Sequence, residues 1–230
     1  MNLAGIAAAS ALCVSLAARA NAGPQTESAQ PDARFFAVSY VEVMPSSRTV
    51  ALAAFKQCRE TSHRQDGHLR FELFEQVGRP AHFAVVETWR DQKAFDARAS
   101  SVQQQLLDAL QPVRVGGFDQ RPYKALAVDS VPGAPIGGVS VVTHVDVAPD
   151  PRVAGILKRL AEASRRDQGN LRFDVLQHTM RANHFTVIET WKSQKDLDDH
   201  AAAAHTRQYR DDLQPMTGSP LDERVYKQVE

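Results

Sequence analysis

The stretch AHFAVVETWRDQKAFDAR at residues 81–98 returns 102 residues later as NHFTVIETWKSQKDLDDH at 183–200, with nine of eighteen positions identical. The match is wider than this phrase. HLRFELF (68–74) pairs with NLRFDVL (170–176), Gly67 with Gly169, LQPV (110–113) with LQPM (213–216), and Tyr123-Lys124 with Tyr226-Lys227. The starts agree as well, since Val41-Glu42-Val43 with Pro45 resembles Val145-Asp146-Val147 with Pro149. Two units of about 90–95 residues make a duplication; a solenoid needs shorter and more numerous repeats.

Each unit carries the same run of elements. In the second, VSVVTHVDV (139–147) is β-branched and partly alternating and predicts a strand. Asp150-Pro151 supplies a helix start, with Val153, Leu157, Leu160 and Ser164 at helical spacing and Gly169 closing the turn after it. LRFDVLQH (171–178) and HFTVIETW (184–191) predict two more strands, and Ser193 with Asp196 forms a capping box for a second helix. ERVYKQV (223–229) closes the unit. Strand, helix, strand, strand, helix, strand is the ferredoxin-like order. Both helices then cover one face of the sheet and leave the other bare, so that face needs another layer. The second copy can supply it. The expected fold is α+β: two fused ferredoxin-like units packed sheet to sheet as an internal pseudo-dimeric α+β barrel, covering 34–125 and 139–230, with a Pro- and Gly-rich linker at 126–138.

The N-terminus reads differently. Residues 1–22 hold a short, alanine-rich apolar run ending in Ala20-Asn21-Ala22, a small-x-small pattern that predicts a signal peptide cut after Ala22 and a periplasmic or secreted chain. Residues 23–33 read as a disordered lead-in. Removal of the leader takes Cys13 with it and leaves only Cys58, which cannot form an internal disulfide and sits at helical spacing from Val50 and Ala54 as a small buried hydrophobe. The 27 basic and 27 acidic residues balance, giving no electrostatic footprint for nucleic acid or an anionic membrane.

The run GNLRFDVLQ, followed by HFTVIETWKSQKDLDDHAAAAHTRQYRDDL, resembles the antibiotic biosynthesis monooxygenase (ABM) family of dimeric α+β barrels. The hallmark there is a strand ending in E-x-W, a short helix carrying a histidine, a second histidine about five residues on, and an aromatic four later. In this chain these are Glu189, Trp191, His200, His205 and Tyr209. The resemblance covers both repeats and implies several activities: cofactor-independent monooxygenation of quinols and anthrones, haem degradation, and sugar-phosphate isomerisation. The haem-degrading members use a tryptophan at the position corresponding to His200, which argues against that chemistry. The first repeat departs from the pattern: Arg98 replaces His200, Val102 or Gln103 replaces His205, and Leu106 replaces Tyr209.

If residues 194–213 form one helix, Leu197, Ala201, Ala204, Tyr209 and Leu213 face inward, with His200 and His205 bordering the stripe. Imidazoles there can take a proton from a phenol or enol. His205 and His200 are thus the expected base and orienting groups, with Tyr209 positioning the substrate. Trp191 packs the strand end or walls the pocket, and His184 and His144 complete the expected substrate-binding set. Glu189 and Glu87 should be ion-paired to Arg172 and Arg70 on the adjacent strands. No metal is expected, because histidines five apart do not stack on one helix face and there is no cysteine pair; no nucleotide fingerprint is present either. The expected function is an exported, cofactor-independent monooxygenase acting on a quinol-like or polyphenolic compound with O₂. Alternatives are a non-catalytic binding module for an aromatic or haem-like ligand, and an isomerase. The expected partners are the aromatic substrate and O₂, with no membrane after signal cleavage and room for a homodimer of the pseudo-dimer.

Overall fold

The chain is described from a computed structural model over residues 32–98, 100–129, 137–217 and 220–229. The expected signal peptide, its cleavage site, and most of the lead-in and linker lie outside the described residues.

The first repeat runs β1 (Phe35–Glu42), α1 (Arg48–Ser62), β2 (His68–Gln76), β3 (His82–Trp89), α2 (Gln92–Ala97), α3 (Ser100–Leu110) and β4 (Asp119–Ala127). The second runs β5 (Val139–Asp146), α4 (Arg152–Ser164), β6 (Asn170–His178), β7 (His184–Trp191), α5 (Gln194–Ala201), α6 (Ala204–Leu213) and β8 (Asp222–Val229). The starts of the second repeat's helices follow the sequence. Asp150 Oδ1 accepts the Arg152 amide at 2.8 Å, and the Ser193 hydroxyl accepts the Asp196 amide while donating to the Asp196 carboxylate at 2.6 Å.

The two sheets join edge to edge as well as facing one another. The eight strands close a barrel in the order β1-β3-β2-β8-β5-β7-β6-β4, with β4 returning to β1. Both junctions between repeats are antiparallel: Phe74 lies opposite Gln228 on β2 and β8, and Lys124 opposite Gln177 on β4 and β6. No strand edge is left open, which removes the usual template for aggregation.

Alternation along the strands separates a barrel interior from helix-facing clusters, the smallest of them Phe35, Ala37, Trp89 and Ala94. Phe36, Val38, Phe74, Val86, Tyr123, Val142, Leu176, Ile188 and Tyr226 fill the barrel interior from both repeats. Outward-facing residues such as Phe83 and Val85 meet α1 and α3, and Phe185 and Val187 meet α4 and α6. Cys58 lies in the first of these helix-facing cores, buried as expected, and burial pushes its thiol up to about 12.

The barrel interior also holds charge. Arg172 donates through Nη1 to both oxygens of Glu72, at 3.0 and 2.9 Å, and through Nε to Asp174 at 2.5 Å; all three are buried. Glu72 belongs to the first repeat and Arg172 to the second, so this pair crosses the pseudo-dimer interface. Removing Arg172 leaves Glu72 with Arg70 at 3.5 Å and takes the guanidinium away from Asp174 in the interior. Arg172→Ala should therefore lower the unfolding free energy by about 3–5 kcal/mol, read from urea denaturation; a loss near zero would mean that the pair contributes nothing to closure.

Candidate active site in the second repeat

The segment 194–213 is two helices, not the single one expected. α5 ends at Ala201, Ala202 caps it, and Ala203 is extended (φ −66°, ψ 151°) before α6 begins at Ala204. The break reorients the second histidine. His200 ends α5 and is 6% exposed, His205 opens α6, and their ring centroids lie 5.4 Å apart. A straight helix would turn residues five apart by roughly 140°.

His200 is fixed on every side. Its face stacks on Trp191 at 4.5 Å and 25°, and Phe173 meets it edge-on at 5.7 Å. Its Nδ1 lies 2.8 Å from Asp167 Oδ2, and its Nε2 lies 3.6 Å from Glu189 Oε2. Burial pulls the imidazole pKa down, partly opposed by Asp167. Asp167 sits in the turn after α4, where Gly169 adopts φ 79° and an added Cβ would lie 2.2 Å from the Asp196 side chain. The Lys192 amide donates to the Gly169 carbonyl at 2.9 Å, tying that turn to the end of β7.

Glu189 does not meet Arg172, nor Glu87 Arg70. Strand register is the reason: Glu189 lies opposite Phe173 and Glu87 opposite Phe71, on the helix-facing side, whereas Arg172 and Arg70 lie opposite Thr190 and Thr88 and point into the barrel. The Glu189 carboxylate instead accepts the Trp191 Nε1–H at 2.7 Å. Burial raises its pKa to about 7, against the lowering effect of that hydrogen bond.

These groups form the polar end of a cavity of about 270 Å³ between the sheet and α4, α5 and α6. Val141, Phe173, Val187 and Leu160 give it apolar walls; Glu189, His200, Thr206 and Tyr209 converge on it, and Arg210 and Glu223, about half exposed, flank it. The Tyr209 phenol is held neutral, its pKa raised chiefly by burial.

The structure therefore brings His200 and Tyr209 to the cavity. It sets the other four expected site residues outside its lining. His205 lies outside the lining, with its Nε2 3.1 Å from Asp167 Oδ2. Trp191, fully buried, backs His200 rather than facing the cavity. His184 sits at the opposite end of β7, 2.6 Å from Asp146. His144 points into the barrel beside Thr186 and Tyr40, where burial and Arg121 lower its pKa to about 4. Asp167, Thr206 and the cavity role of Glu189 were not anticipated. Glu189 had a signal, an acid on an apolar strand face; Asp167 and Thr206 had none beyond proximity to a glycine turn and a histidine.

The first repeat fills the same region. Arg98 lies over the Phe95 ring at 3.6 Å and donates to Gln103; Gln103 donates to Gln120 at 3.1 Å, and Gln120 to Ser39 at 3.1 Å. A separate crevice of about 10 Å³ lies between α1 and α3 beside Cys58, Val102 and Leu106, and a shallow hollow of about 420 Å³ lies on the surface beside Gln103 and Gln120.

A family model described as antibiotic biosynthesis monooxygenase matches the chain twice, over residues 34–107 and 139–212, which is more than half of it. The chain belongs to the antibiotic biosynthesis monooxygenase family. It is 30% identical over 57 residues to "Putative monooxygenase YcnE" of Bacillus subtilis, a match spanning 25% of this chain and 60% of that protein. A "Putative monooxygenase" of Fusobacterium nucleatum shares the ABM fold with a TM-score of 0.74 at 16% identity, covering 86% of this chain and 93% of its own. One from Lactobacillus acidophilus follows at 0.70 and 14%, covering 85% and 94%. At such identities the solved structures speak for the fold alone.

The raised Glu189 carboxyl fixes the direction of one pH effect. Its folded pKa of about 7 exceeds the ordinary 4.5, so its contribution is most favourable below pH 4.5 and is lost as pH rises through 7. Glu189→Gln should therefore gain stability over the native chain by on the order of 3 kcal/mol between those limits, measured as paired urea-unfolding curves. A flat difference would mean that Glu189 is ionised in the fold across that window.

Proposed function

We propose that the chain is an exported monooxygenase that oxidises a small quinol-like or polyphenolic compound with O₂, without a bound cofactor, in the second repeat. The observation that carries this reading is the convergence of Glu189, His200 and Tyr209 on one apolar-walled cavity of about 270 Å³, whereas the first repeat has Arg98 and Leu106 where the second has His200 and Tyr209. That volume sits at the low end for ligand sites and suits one or two fused rings.

The chemistry follows from the groups present. A carboxyl with a pKa near 7 is suited to general-base work at neutral pH. Glu189 takes the substrate's acidic proton and shares it with His200 Nε2, 3.6 Å away, while Asp167 holds the other ring nitrogen. Tyr209, neutral in its buried setting, positions the substrate oxygen. The resulting anion is electron-rich enough to reduce O₂. A carbon–oxygen bond forms, one oxygen atom stays on the substrate as a carbonyl, and the other leaves as water with the two hydrogens lost from the substrate. All four electrons come from the substrate, so no external reductant is required.

The test is O₂ uptake by the purified, metal-stripped chain with a panel of hydroquinones and anthrones. Uptake should exceed autoxidation, fall about 10²–10⁴-fold in Glu189→Gln, and persist in Arg98→Ala. Full activity in Glu189→Gln would remove the cavity from the reaction, and no uptake with any compound would favour the binding module. Export has its own readout: the mass of the chain recovered from a Gram-negative host should correspond to a start at Gly23, and an intact Met1 terminus would refute it.

A further inference from the structure

The break between α5 and α6 creates a donor set that a continuous helix would not. His200, His205 and Asp167 each offer one ligand atom, all within 4.8 Å of one another. His200 Nδ1 and His205 Nε2 lie 2.8 and 3.1 Å from the same oxygen, Asp167 Oδ2. Metal–ligand bonds of about 2.0–2.2 Å place neighbouring ligand atoms roughly 3–3.5 Å apart. We propose that Asp167, His200 and His205 form a binding site for one divalent first-row transition-metal ion at the edge of the cavity. This goes beyond the monooxygenase reading and does not rest on it.

Three further observations favour an ion over a carboxylate that merely accepts two N–H groups. His205 Nε2 is shielded from solvent and makes no aligned hydrogen bond, although Asp167 is near; a buried nitrogen in that condition calls for a partner. The second nitrogen of His200 faces a carboxylate, Glu189, which Trp191 in turn holds at 2.7 Å. Histidine ligands characteristically present their other N–H to such a group, which fixes the tautomer. The set is also all or none between repeats: Asp167, His200 and His205 correspond to Gln65, Arg98 and Val102 or Gln103, none of them suited to a transition metal. Two imidazoles and one carboxylate suit iron, cobalt, nickel, copper or zinc better than calcium or magnesium, and three protein ligands leave coordination positions open.

With an ion on Nδ1, His200 Nε2 keeps its hydrogen and donates it toward Glu189. An ion there would take His200 Nε2 out of the proton sharing proposed above, which therefore describes the metal-free chain.

The site is tested on the full, tag-free chain, stripped with chelator and titrated with Co²⁺ by calorimetry and visible absorption, with no substrate present. One Co²⁺ per chain should bind, show the ligand-field bands of a low-coordinate site, and be displaced by Zn²⁺. His205→Gln and Asp167→Asn should each weaken binding at least about tenfold, whereas His184→Gln, in a remote histidine–aspartate pair, should not. Near-UV dichroism checks that each variant is folded; His205, partly exposed, decides the matter should Asp167→Asn unfold. No saturable Co²⁺ or Zn²⁺ site, or native affinity in His205→Gln, overturns the proposal. Because oxygen uptake is not the readout, failure here and failure of the monooxygenase reading are separate results.

Discussion

A four-stranded sheet with helices on one face has two unsolved problems: a bare apolar face and two unpaired edges. Everything else in this chain follows from solving both with a second copy of itself. The inward faces of the two sheets share one core, and the edges zip β2 to β8 and β4 to β6. The helix-facing cores are then free of that duty, since the barrel is closed without them. Arg172 and Glu72 show how strictly the interior is shared, because a buried charge from one repeat is neutralised by the other.

Fusion also changes what each unit is free to become. Two identical chains would carry identical sites, whereas two repeats in one chain need not. The helix-facing space in the first repeat is closed by Arg98, Gln103 and Gln120, side chains that hydrogen-bond one another in place of lining a cavity. In the second, His200 stands in place of Arg98 and Glu223 in place of Gln120, and the cavity there measures about 270 Å³. Empty apolar volume is destabilising, so a cavity kept on one side only is an asymmetry with a cost.

Much of the fold was legible because its signals are local. Period-two alternation marks the strands, Asp150 and Ser193 mark helix starts, and the repeat itself marks the pairing. The α5–α6 break was not legible, since Ala201 to Ala204 is as good a helix-forming run as a sequence can offer; tertiary packing of His200 against Trp191 and Asp167 overrides it. The Glu189–Arg172 pairing failed for a different reason. Alternation tells which residues share a face within a strand but not which face of one strand aligns with which of the next, and a register of Phe173 against Glu189 settles that only in three dimensions. The same parity puts His144, expected in the substrate-binding set, inside the barrel beside Thr186.

The tryptophan common to both repeats illustrates how packing and chemistry become one thing. Trp191 is wholly buried and would read as core, and it is core. Yet its indole N–H holds Glu189 while its face holds His200, and His200 in turn meets Asp167 on the other side. A single chain of contacts thus runs from the buried end of β7, across the cavity wall, to the turn after α4. Of these four groups, Glu189 and His200 line the cavity. A buried carboxylate held in this way need not be ion-paired to be tolerated: it can sit near its own pKa, half committed to a proton. Stability alone would favour an apolar residue at that position, and the neighbouring Val187 and Phe185 show that the strand accommodates them. Glu87 holds the same place in the first repeat, where burial likewise raises its pKa to about 7, so the acid accompanies the tryptophan in both units.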